Sequence, residues 1–152
     1  AGRPLKVCLP FQPIKIMSVF SSITRDKAVD PIPFAMGAAS ASTVSTAIDI
    51  GANSFNDGNI EFLLSIPALA TGVIPDASIV SLILETSANS GFSVILSTQT
   101  ETVTGAGGVG IAATSARFRV PSDSAQFVRF KTTRGSGGTS AAAFNATGSV
   151  RF

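Results

Sequence analysis

The chain contains no histidine, tyrosine or tryptophan, and its only cysteine is Cys8. These absences remove the commonest general acid/base at neutral pH, the most frequent metal ligand and the phenol. A Ser-His-Asp triad, a Cys-His pair and a zinc site of Cys and His type are excluded. A single thiol cannot form an internal disulfide, so no such cross-link holds the fold and the compartment is left open. Carboxylates, lysines, hydroxyls and one thiol remain for chemistry. The chain therefore reads as a non-enzyme, with no catalytic, cofactor-binding or metal-binding residue assigned.

Positive charge is missing from one long region. Lys and Arg are absent from residues 28–116, where seven of the nine acids lie: Asp30, Asp49, Asp57, Glu61, Asp76, Glu85 and Glu101. A basic head carries Arg3, Lys6, Lys15, Arg25 and Lys27, and a basic tail holds the other six cations. Such an ordering calls for a cause in the fold or in a partner. No apolar segment follows a basic start, so no signal peptide is expected. The longest uncharged run, residues 31–48, holds Pro33, Gly37 and many hydroxyls and does not read as a membrane span. At 152 residues the chain is long enough for one domain that buries roughly 70% of its unfolded surface.

Five of the eight prolines, Pro4, Pro10, Pro13, Pro31 and Pro33, fall within residues 1–42. Each removes a ladder donor and restricts its predecessor, so this stretch is read as an extended N-terminal arm, with one short strand or turn at residues 14–20. From Thr43 to Phe152 short stretches alternate apolar and polar residues between turn-forming loops, the pattern of half-buried antiparallel strands. The apolar sets are Val44, Ile48 and Ile50; Ile60, Phe62, Leu64 and Ile66; Val80, Leu82 and Leu84; Phe92, Val94 and Leu96; Phe118 and Val120; Val128 and Phe130; Phe144, Ala146, Val150 and Phe152. A weaker strand is expected over residues 100–104.

Eight such strands predict an all-β fold, an eight-stranded antiparallel β-sandwich of jelly-roll (Greek-key) type. In that topology the strands order first, eighth, third, sixth in one sheet and second, seventh, fourth, fifth in the other. The charges favour it over a meander, which would set acidic strands side by side. The expected neighbours are Asp49, Arg151, Glu85 and Arg117 with Arg119 in one sheet, and Glu61 beside Arg129 and Lys131 in the other. Each opposite-charge pair contributes roughly 0.2 to 1 kcal/mol and penalises wrong registers.

Gly105-Ala106-Gly107-Gly108-Val109-Gly110 fits the spacing of a dinucleotide loop. That mechanism needs a helix directly afterwards, and the strand around Phe118 follows too closely. Asn53, Asn56, Asp57, Asn59 and Glu61 offer oxygen ligands, but Asn56-Asp57-Gly58-Asn59 already accounts for itself as a turn. The basic arm has only Phe11 and Phe20 for stacking, a thin basis for nucleic-acid binding, so a protein surface is the better target. Leu63, Ile79, Ile83 and Ile95 fall on nominally outward faces and mark a candidate surface for an oligomer contact or for packing of the arm.

The stretch from Ile60 to Phe152 resembles the capsid cement, or decoration, proteins of tailed bacteriophages. The resemblance rests on Ile66-Pro67-Ala68-Leu69-Ala70, on residues 81–84 followed by Glu85-Thr86-Ser87-Ala88-Asn89-Ser90-Gly91-Phe92, on the Gly-rich loop, and on Ala116-Arg117-Phe118-Arg119-Val120-Pro121 and Phe127-Val128-Arg129-Phe130. It implies a jelly-roll subunit, dimeric or trimeric, made in the host cytoplasm and placed on the outside of the phage head, where it cements neighbouring major capsid subunits. No cofactor and no membrane are implied. The arm, with Arg3, Lys6, Lys15, Arg25 and Lys27, is the candidate capsid contact. A self-assembling coat protein and a receptor- or carbohydrate-binding module are the alternatives, the last disfavoured by the lack of Trp and Tyr.

Overall fold

The computed structural model describes residues 29–51, 60–119 and 126–151. Arg3, Lys6, Lys15, Arg25 and Lys27, the element at residues 14–20 and the oxygen-rich turn at residues 53–59 lie outside these residues. Nine strands are present: β1 (Val29–Ala35), β2 (Ser42–Val44), β3 (Ile48–Asp49), β4 (Glu61–Ile66), β5 (Ile79–Ser87), β6 (Ser97–Thr104), β7 (Thr114–Arg119), β8 (Phe127–Arg134) and β9 (Asn145–Arg151). They form two antiparallel sheets, ordered β1-β9-β4-β7 and β2-β8-β5-β6, with β3 also paired to β8.

Alternation builds the layer between them. β4 turns Phe62, Leu64 and Ile66 inward, β9 turns Ala146, Gly148 and Val150, β5 turns Val80, Leu82 and Leu84, and β8 turns Val128 and Phe130. Phe62 and Phe130 meet across the sheets at 6.3 Å with planes tilted by 60°. That tilted separation is a favoured aromatic geometry. Phe130 lies so close to the Gly148 backbone that a Cβ there would come within 2.9 Å of three of its ring carbons. Small inward residues on β9 thus make room for large ones on β8.

Three expectations require correction. Residues 29–35, assigned to the arm, form β1 and pair with β9, with a register shift between Val29 and Ile32. Pro31 and Pro33 are tolerated there because β1 is an edge strand, where a missing N–H costs no ladder bond. Secondly, Val44 and Ile48 do not share a face: Val44 pairs with Lys131 and is exposed, whereas Ile48 pairs with Val128 and is buried. Four residues on one strand oppose three on the other, so one extra residue between β2 and β3 flips the side. Ser45 sits in this bulge, its backbone N–H donating to the Phe130 carbonyl at 2.9 Å and its Oγ accepting from the Phe130 N–H at 3.0 Å.

Thirdly, residues 92–96 are no strand. The Phe92 N–H donates to the Asn89 carbonyl at 3.1 Å, Asn89 Nδ2 donates to Ser93 Oγ at 2.8 Å, and Ser87 Oγ donates to the Val94 carbonyl at 2.8 Å. Local side-chain bonds of Asn and Ser compete here with a ladder and win, leaving Phe92 at φ 50°. Counting β2 and β3 as one interrupted strand, the orders are first, eighth, third, sixth and second, seventh, fourth, fifth. Because β1 enters at the front and residues 92–96 drop out, the acids exchange neighbours. Glu61 lies between Arg119 and Arg151, and Glu85 lies opposite Arg129.

Candidate interaction surface

The outer face of the second sheet carries a compact ionic cluster. Glu85 on β5 accepts from Arg129 Nε at 2.7 Å through Oε2 and from Lys131 Nζ at 2.8 Å through Oε1, and Arg129 Nη2 lies 2.6 Å from the same Oε2. Alternation points Glu85 outward, yet only 4% of it is exposed. Its cover includes the β5–β6 connection, because the Arg129 guanidinium lies 4.3 Å from the centre of the buried Phe92 ring. Arg129 thereby joins a carboxylate to an aromatic face.

Burial alone would raise the Glu85 pKa; hydrogen bonds from Lys131 and Arg129, with their positive charges, outweigh it and hold the carboxyl below its ordinary value of 4.5. A carboxyl depressed in the folded state contributes stability that is complete above the unfolded value and is lost as pH falls through the folded one. Glu85→Gln is expected to cost about 2 kcal/mol at pH 7, the scale of hydrogen bonds to charged groups. The deficit should shrink below about pH 4.5, as wild type loses the same interaction. Urea titrations of both proteins between pH 3 and 7 check this, and parallel pH profiles would refute it.

On the first sheet the outer charges pair more loosely. Arg117 Nη1 lies 3.8 Å from Glu61 Oε1, and its side chain is 68% exposed. Surface pairs of this kind contribute little. Elsewhere a shallow hollow of about 320 Å³ is lined by Pro75, Asp76, Ser78, Ile79, Gly135 and Ser136. Asp76 there accepts the Gly108 N–H at 3.0 and 3.1 Å, anchoring the Gly-rich loop as a turn that leads into β7 rather than a helix.

The four apolar residues singled out from the sequence do not form one patch. Leu63 is half-buried on the outer face of the first sheet, opposite Arg117 and Ser149. Ile79 and Ile83 lie on the outer face of the second sheet, Ile79 exposed and Ile83 buried between Lys131 and Thr100 in register. Ile95 lies in the β5–β6 connection, at the opposite end of β5 from Ile79. Exposed apolar surface concentrates instead at three consecutive residues, Val94, Ile95 and Leu96, at 60%, 38% and 57%. Alternation alone turns Val94 and Leu96 inward, whereas the turn-forming Asn89, Ser90 and Gly91 are the sequence signal that the strand stops short. Among the described residues no three acidic or Cys side chains converge as a metal site would require, and no helix is long and apolar enough to cross a membrane. No family model matches this chain, and no curated protein or solved structure gives a match.

Proposed function

We propose that the chain is a structural virion protein that binds the outer surface of a phage head and cements neighbouring major capsid subunits. We read its sandwich as a jelly roll. The observation that supports this reading most is the pair of strand orders, first, eighth, third, sixth and second, seventh, fourth, fifth, which match the order expected of a jelly roll. It adds to the likeness to cement proteins carried by residues 60–152. Work on the shell would be binding alone, through many copies each making modest contacts.

The arm is the proposed anchor, with Arg3, Lys6, Lys15, Arg25 and Lys27 as its charged contacts. β1 fixes where a test deletion must stop, since Val29 already pairs with Val150. Removing residues 1–27 is expected to leave a folded sandwich that no longer decorates heads. Cosedimentation with purified phage heads measures this, and saturation of heads at wild-type affinity would show that the arm is not the anchor. Electron microscopy of the purified chain separates this reading from a coat protein, which would form shells unaided.

A further inference from the structure

The two sheets have four edges among the described residues, and three of these carry devices that discourage strand addition. β1 has Pro31 and Pro33, which lack N–H donors, and a register shift. β2 and β3 are three and two residues long and are broken by the bulge at Ser45. β7 is lined by the exposed cations Arg117 and Arg119. β6 differs: eight residues in unbroken register with β5, no proline, no cation and no bulge. Among the described residues it is paired on one side only.

The direction of its free backbone groups follows from the neighbouring bonds. The Ile79 carbonyl accepts from Gly135 on the β8 side, whereas the Thr86 carbonyl accepts from Leu96 on the β6 side. Alternation along β5 therefore aims Val80, Leu82, Leu84 and Thr86 at β6, where they pair with Val103, Glu101, Gln99 and Ser97. The N–H and C=O groups of Thr98, Thr100, Thr102 and Thr104 then point away from the sheet, at the open edge. Threonine also has high strand propensity.

We propose that the open edge of β6 is an acceptor site for an extended peptide strand of a partner protein, with a cationic side chain opposite Glu101 and apolar residues beyond Ser97. Main-chain bonds to the four threonines would supply affinity, and alternate side chains specificity. Glu101 is the only charged residue on β6 and makes no ion pair among the described residues. In the added ladder it occupies a non-hydrogen-bonded position, where facing side chains approach most closely. Val94, Ile95 and Leu96 run directly into the strand, so a peptide longer than β6 covers them as well.

The test uses the full chain, labelled with 15N, and a capped octapeptide of alternating threonine and valine with one central lysine. Its twin carries glutamate in place of lysine. Thr98, Thr100 and Thr102 amides should shift and gain protection from solvent exchange, with the lysine peptide binding about fivefold tighter than its twin, the upper range of a cross-strand charge pair. Thr102→Pro removes an outward N–H without touching the β5 ladder, so it should keep the thermal midpoint and abolish peptide binding. The proposal fails if the peptide shifts other strands, if both peptides bind alike, or if Thr102→Pro binds as wild type. It also fails if these amides are protected before peptide is added, in which case the chain's own residues or a second copy already occupy the edge. Sedimentation equilibrium distinguishes those two.

Discussion

Gly148→Ala should lower the unfolding free energy by about 3 kcal/mol, the upper range for overpacking a filled core, and Gly148→Val by more. The cause is not backbone conformation but space. Gly148 faces inward from β9, and the Phe130 ring of the opposite sheet occupies the place a Cβ would take. The ring has little room to move aside, because Phe130 is fully buried and packs against Phe62 on β4, the strand beside Gly148. A methyl at position 148 must therefore push the sheets apart or drive Phe130 off its rotamer. Urea denaturation measures the loss, and Phe130→Leu in the Gly148→Ala background should recover part of it. Non-additivity of this kind is what contacting residues show. An unchanged urea midpoint for Gly148→Ala would refute the steric argument.

Arg134 carries the second large effect. Among the described residues it is the largest fully buried side chain, on β8, with Nη1 donating to the Gly37 carbonyl at 2.9 Å and Nη2 to the Val73 carbonyl. Its backbone N–H donates to the Ala41 carbonyl at 3.0 Å. One residue thus ties the β1–β2 connection to the β4–β5 connection at one end of the sandwich. No carboxylate pairs with it among the described residues, its Nε has no partner there, and burial pulls its pKa down. Arg134→Met removes a desolvated charge but leaves two carbonyls without donors, and should cost about 3 kcal/mol. Arg134→Lys keeps the charge without the fork that reaches both carbonyls, so it should be destabilised at least as much as the methionine variant. Thermal melts rank the three proteins; a lysine variant close to wild type would show that charge, not the fork, is what the site requires.

These two residues illustrate why some features can be read from sequence and others cannot. The inward alternation of Phe62, Val80, Leu82, Leu84, Val128 and Ala146 was visible because period 2 holds wherever a ladder is unbroken. The segregation of acids from cations pointed to acidic strands beside basic ones but not to the partners. Glu85 is expected beside Arg151 and Arg117 and lies opposite Arg129, while Glu61 lies between Arg119 and Arg151. Periodicity failed where one residue shifted the phase, at Ser45, and where side chains of Asn89 and Ser87 outcompeted the ladder before Val94. It also missed β1, whose prolines suit an edge that sequence cannot distinguish from an arm. Arg134 continued the alternation of β8, but nothing local shows that a cation will point into the core, because its acceptors lie 97 and 61 residues away. The candidate surface suffered most. Leu63, Ile79, Ile83 and Ile95 share only a parity within their own stretches of sequence, and parity carries no information about which sheet a strand joins.

The place of β9 has a bearing on how the molecule comes into being. It lies between β1 and β4, pairing Val29 with Val150 on one side and Phe62 with Val150 on the other. Until residues 145–151 are present, β1 has no hydrogen-bonded neighbour in its sheet, and β4 has only β7. A chain emerging from the ribosome could therefore hold most of its apolar residues in hand without being able to close the layer. Contacts this distant in sequence fold slowly, on the millisecond-to-second scale typical of sandwiches. Of the nine strands described, the last in the chain is the one that joins β1 to the β4–β7 pair.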